Sequence, residues 1–91
     1  MTMKSVYLKI IGRVQGVYFR QSTREKAEEL GIAGTVRNVE DGSVEVYAEG
    51  APEQMHVFIN WCNEGPSAAS VAKVEIHESP LKNFDGFRII H

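Results

Sequence analysis

The pair Asp41-Gly42 stands near the middle of the 91-residue chain, between two runs rich in β-forming residues, Gly34 to Val39 and Ser43 to Glu49. Asp-Gly tolerates the left-handed backbone of a tight hairpin turn, so the two runs are expected as antiparallel neighbours. Everything else has to be arranged around that ribbon. Upstream, residues 3–11 alternate, with Val6, Leu8 and Ile10 on one face and Tyr7, Lys9 and Ile11 on the other, the two-residue period of a first strand. Gly12 to Phe19 break the alternation. Ser22 followed by Glu25 predicts a capping box ahead of a helix with Thr23, Ala27 and Leu30 on one stripe, and Gly31 predicts its left-handed end.

Downstream of the hairpin, Pro52 stands where a first helical turn tolerates proline, and Met55, Phe58, Ile59 and Cys62 recur at i, i+3, i+4 and i+7. That helix stops at Gly65-Pro66. Residues 71–77 alternate again, with Ala72, Val74 and Ile76 expected on one face, and Phe87 and Ile89 mark a short last strand beyond the loop around Pro80 and Asn83. The order is βαββαβ with a fifth strand at the C-terminus. It predicts an α+β sandwich of the ferredoxin-like type, two helices on one face of a mainly antiparallel sheet.

With 43% hydrophobic and 24% charged residues, the chain has the composition of one domain, expected over residues 1–91. Ten basic and twelve acidic residues give a formal charge of −2 and provide no long-range attraction to nucleic acid or an anionic membrane. No apolar run approaches the roughly 18 residues of a membrane span, so a cytoplasmic protein is expected. Cys62 is the only cysteine, which excludes an internal disulfide and the two-cysteine redox and zinc patterns. His56, His77 and His91 form no ligand motif, and no metal site or cofactor is expected.

The segment from Gly12 to Arg20, Gly-Arg-Val-Gln-Gly-Val-Tyr-Phe-Arg, joins the first strand to the first helix. Two glycines let consecutive N–H groups converge, and the helix start adds unpaired donors, so the segment suits an anion. Arg20 is informative because the helix dipole disfavours a cation in the first turn, whereas a guanidinium offers a planar pair of donors to phosphate oxygens. The plainer possibility is a tight turn with Arg20 paired to Glu25 or Glu28. The segment lacks the Gly-Lys-Ser/Thr ending of a P-loop NTPase, and Cys62 has no arginine six residues on for a cysteine-dependent phosphatase. Asn38, just before the turn, has an amide that can accept from and donate to water, although an asparagine near a hairpin commonly binds local backbone instead.

Taken whole, Ile10-Ile11-Gly12-Arg13-Val14-Gln15-Gly16-Val17-Tyr18-Phe19-Arg20 resembles the first acylphosphatase signature at every defining position. Gly34, Val36, Arg37, Asn38, Gly42, Val44 and Gly50 resemble the second with its spacing intact, and Gly65-Pro66 before Val71 and Val74 is also similar. Thr35 departs, standing where the family usually has an aromatic residue. The resemblance implies hydrolysis of small acyl phosphates without a covalent enzyme intermediate, and a monomer is expected because no residual apolar stripe calls for a partner. It further implies a loop of Gln15, Gly16, Val17, Tyr18, Phe19 and Arg20 that binds the phosphoryl group through its amides and the Arg20 guanidinium, and Asn38 that orients the attacking water. Two other readings of the same element order are a non-catalytic module binding a small anion and an RNA-recognition module. The second conflicts with the acidic run Ser43 to Glu49, which lacks the basic and aromatic pattern such a module needs.

Overall fold

A computed structural model describes residues 2–91. Five strands form one sheet: β1 (Lys4–Arg13), β2 (Ala33–Asn38), β3 (Val44–Gly50), β4 (Ser70–Glu78) and β5 (Phe87–Ile89), in the order β4-β1-β3-β2-β5. Helix α1 (Phe19–Leu30) follows β1 and α2 (Pro52–Glu64) follows β3. The hairpin expected at Asp41-Gly42 joins β2 to β3 with Asn38 opposite Val44, and β1 lies between β3 and β4, antiparallel to both. Only β5 runs parallel to its neighbour, β2. This is the ferredoxin-like arrangement with an added strand at one edge.

The two-residue period decides what the sheet buries. Val6, Leu8 and Ile10 of β1, Val36 of β2 and Val44, Val46 and Ala48 of β3 are all buried, and they meet Ala27 of α1 and Met55, Phe58 and Cys62 of α2. Burial also pushes the Cys62 thiol above its ordinary pKa, leaving it a small apolar core residue. On the opposite face Tyr7 donates to Glu45, which also accepts from Arg37 at 2.7 Å. The segment between β4 and β5 folds back over that face: Glu49 accepts the N–H groups of Lys82 and Phe84, and the Lys82 ammonium lies 3.9 Å from the centre of the Tyr47 ring.

Two local expectations are corrected. Ser22 and Glu25 do not cap α1 but lie inside it; the helix begins at Phe19, its N-cap is Tyr18, and no side chain caps it. The cause is Phe19, which is buried against Trp61 with ring centres 5.8 Å apart and draws the first turn upstream. Its carbonyl then accepts from the Thr23 hydroxyl at 2.7 Å. Ala72 does not share a face with Val74 and Ile76, because the register slips where Gly12 pairs with Val71 and Ile11 with Lys73. Ala72 is the extra residue of a bulge, and Val71 and Val74 pack on the core instead.

Gly34 shows how tightly β2 and β3 approach. Its φ of +154° lies at the edge of the glycine region, and a Cβ there would collide with the Tyr47 carbonyl of the paired strand. Gly34→Ala is therefore expected to destabilise the fold by about 2–4 kcal/mol through backbone strain and overpacking. Urea unfolding with an unchanged m-value would measure it, and a loss below about 1 kcal/mol would show that the strands can part without penalty.

Candidate active site

The segment between β1 and α1 is held by every second or third side chain. Val14, Val17 and Phe19 are buried, whereas Gly16 and Tyr18 point away from the core and Tyr18 is 80% exposed. Such anchoring forces the backbone to reverse between anchors. Gly16 has φ 74° and Tyr18 has φ 61° and ψ 23°, so two left-handed residues flank Val17. Alternating handedness of this kind curls successive N–H groups toward one concave side and makes a nest for an anion. A Cβ on Gly16 would meet nothing within 4 Å, so glycine is needed there for its conformation and not for space.

The start of α1 completes the donor set. Ser22 donates its N–H to the Tyr18 carbonyl at 3.0 Å and is the first residue of the helix to find an acceptor along it. The N–H groups of Phe19, Arg20 and Gln21 precede that bond and are free to face a ligand. Arg20 is half-buried and takes part in none of the ion pairs among the described residues, so the expected alternative of pairing with Glu25 or Glu28 is not what the side chain does.

Asn38 approaches from the last position of β2. Its side-chain Oδ1 is buried and meets no hydrogen-bond donor among the described residues. An acceptor in that state costs about 1–3 kcal/mol unless a water or ligand supplies the donor. Asn38, Gly16, Tyr18, Phe19, Arg20 and Gln21 line one cavity of about 390 Å³, closed by Val14 and Ile89. The cavity thus gathers a guanidinium, a helix start, a left-handed turn and an unpaired amide oxygen. The side chains of Gln15 and Val17 point elsewhere: Val17 packs in the core, and the Gln15 amide is turned to the β2–β3 turn.

The turn itself is fixed by Asp41, whose Oδ1 accepts from the Ser43 N–H at 2.9 Å and hydroxyl at 2.6 Å and whose Oδ2 pairs with Lys9 at 2.9 Å. The Ser43 hydroxyl, with the Lys9 ammonium, holds the Asp41 carboxyl well below the usual carboxylate range. Among the described residues no three His, Cys, Asp or Glu side chains come together as a metal site would require. Thr35, the departure from the signature, lies away from this cavity, on a second hollow of about 330 Å³ beside Phe84, Asp85, Gly86, Arg88 and Ile90. Of the cavity wall, Gln21 and Ile89 lie outside the segments that the sequence marks; Ile89 arrives only through the parallel β2–β5 pairing, which no local pattern encodes.

The acylphosphatase family model matches residues 6–89, nearly the whole described chain. The chain belongs to the acylphosphatase family. An acylphosphatase of Marinobacter nauticus is 48% identical over 92 aligned positions, covering 100% of both chains, and one of Pseudomonas paraeruginosa is 55% identical over 76, covering 84% of each. The structure of an acylphosphatase from Coxiella burnetii superposes with a TM-score of 0.93 at 36% identity, covering 97% of this chain and 93% of that one. The two signatures meet at the cavity through Asn38, the one residue of the second that lines it beside the residues of the first.

The strain in the loop is measurable. Tyr18→Gly is expected to raise stability by up to about 1 kcal/mol, the relief of about 1–2 kcal/mol of left-handed strain less the entropy glycine adds to the unfolded chain. Gly16→Ala is expected to lower it by about 1–2 kcal/mol for the same reason. Denaturant midpoints of both variants give the answer, and a destabilised Tyr18→Gly would mean that the exposed tyrosine ring itself holds the turn.

Proposed function

We propose that this acylphosphatase hydrolyses the carboxyl–phosphate anhydride of small acyl phosphates by direct attack of one water at phosphorus. The loop amides from Gln15 to Phe19 and the Arg20 guanidinium bind the phosphoryl oxygens, and the Asn38 amide orients the water. The supporting observation is the buried, unpartnered Oδ1 of Asn38 on the same cavity as Arg20 and the α1 start. A carbonyl oxygen in that position accepts a water O–H and so aims a lone pair of the water toward a phosphorus held by the loop.

The chemistry needs little else. As the water oxygen bonds to phosphorus, the acyl oxygen–phosphorus bond breaks, the carboxylate departs with the electron pair, and the water's proton passes to a phosphate oxygen. A carboxylate is a good leaving group, so no strong general acid is needed, and phosphoryl transfer depends mainly on positioning and charge stabilisation. Fixed backbone donors provide both without reorganising during the reaction. In this reading no metal, cofactor or covalent enzyme intermediate takes part, and the chain acts as a cytoplasmic monomer, one domain over residues 1–91, on a small metabolite and not on nucleic acid or a membrane. Its formal charge of −2 agrees with that choice of partner, and no helix among the described residues is long and apolar enough to cross a membrane.

Phosphate release from benzoyl phosphate with a chelator present tests the reading. Wild type is expected to turn over at its full rate, and Arg20→Ala and Arg20→Lys to lose most activity, the lysine because it keeps the charge without the planar fork. Asn38→Ala is expected to lose about 10²- to 10³-fold in kcat, as when one preorganised donor is deleted. A purely raised KM in Asn38→Ala would make the residue a binding group, near-normal Arg20→Lys would end the assignment of the guanidinium, and a folded but inactive wild type would leave only an anion-binding module.

A further inference from the structure

One side chain of the loop ties it to the β2–β3 turn without lining the cavity. Gln15 Nε2 donates to the Val39 carbonyl at 2.8 Å and to the Ser43 carbonyl at 2.9 Å. Both acceptors belong to the turn, where Val39 donates its N–H to Ser43 at 2.9 Å and Gly42 donates to Val39 at 3.0 Å. One primary amide has two N–H groups, and both are committed here, so Gln15 closes the turn against the loop with no donor left over. The chain positions are telling. Gln15 directly precedes Gly16, which lines the cavity, and Val39 directly follows Asn38.

We infer that Gln15 is a positioning residue whose side chain sets the distance and angle between the anion loop and Asn38. The inference rests on the water-orienting role of Asn38 proposed above. In-line attack requires the water within about 3–3.5 Å of phosphorus and aligned with the leaving group, and a misplacement near 1 Å costs on the order of a hundredfold in rate. Loop and hairpin come from separate parts of the sheet, β1 and β2, which are not paired with each other. Strand pairing therefore reaches the relative placement of Gly16 and Asn38 only through β3, while the Gln15 amide spans the gap directly. Affinity for phosphate alone needs the loop and Arg20; turnover needs the loop and Asn38 in register.

The test is a double-mutant cycle of Gln15→Ala and Asn38→Ala, with kcat on benzoyl phosphate, the inhibition constant of inorganic phosphate and the melting temperature measured for each. Gln15→Ala is expected to lower kcat about tenfold to a hundredfold while phosphate inhibition changes less than about threefold. In the Asn38→Ala background the same substitution is expected to cost little further, because the residue it positions is gone. Gln15→Glu supplies a second readout. Its carboxylate would face two carbonyls and depress turnover near neutral pH, and turnover is expected to recover as pH falls and the protonated acid donates to one of them, a rescue that general destabilisation would not produce. Full additivity in the cycle, an equal loss of phosphate affinity, or a Gln15→Glu profile parallel to wild type would overturn the role of Gln15 alone. Near-normal kcat in Asn38→Ala would instead overturn the water-orienting reading, and the inference with it.

Discussion

The candidate site depends on the burial of three apolar anchors within six residues: Val14 and Val17, in a segment that has no regular structure of its own, and Phe19, at the first position of α1. Each fully buried side chain of this size contributes about 1.5–3 kcal/mol relative to exposure. That sum exceeds the about 1–2 kcal/mol needed to hold Tyr18 in a left-handed conformation with its ring in solvent. The turn therefore stays bent in the absence of any ligand, and its N–H groups are organised before an anion arrives. Preorganised donors lose nothing to rearrangement when charge develops, and for this reason backbone amides can do the work of charged side chains.

Packing and chemistry are thus the same arrangement seen from two sides. Phe19 reaches the core between Trp61 and the C-terminal end of α2, where Gly65 leaves the room its ring occupies: a Cβ on Gly65 would lie 2.6 Å from a Phe19 ring carbon. The helix that carries Arg20 consequently begins where the core dictates. On the other side, the hairpin that carries Asn38 is tied down by Asp41, Ser43, Lys9 and Gln15. The two ties differ in kind, apolar for the loop and polar for the turn, and the cavity lies between them.

Much of this was legible in the sequence because the signals are local. Alternation in residues 3–11, the Asp-Gly turn, Pro52 at the start of α2 and Gly31 at the end of α1 each state a backbone preference in a few neighbouring residues, and all four hold. Ser22 and Glu25 misled for the opposite reason: their capping pattern is genuine in isolation, but burial of Phe19 outweighs a cap that contributes about 1 kcal/mol. Ala72 misled because a bulge depends on Gly12, a residue sixty positions away that lets the Ser70–Ala72 backbone come close. At the site, the glycines and Arg20 stand out by type and spacing. The side chain of Gln15 does not, since its two acceptors are main-chain carbonyls, which no residue type can announce.

The Gly16–Arg20 turn, with Asn38 facing it, is the proposed seat of the phosphoryl group. Titration of the isotopically labelled protein with inorganic phosphate, followed through its amide NMR signals, tests that most directly. The largest shifts are expected on the backbone amides of Gly16 to Gln21 and on the Asn38 side-chain amide, and Arg20→Ala is expected to abolish them while the rest of the spectrum stays in place. Shifts centred on the second hollow at Thr35, Asp85 and Arg88, with the turn unmoved, would contradict it.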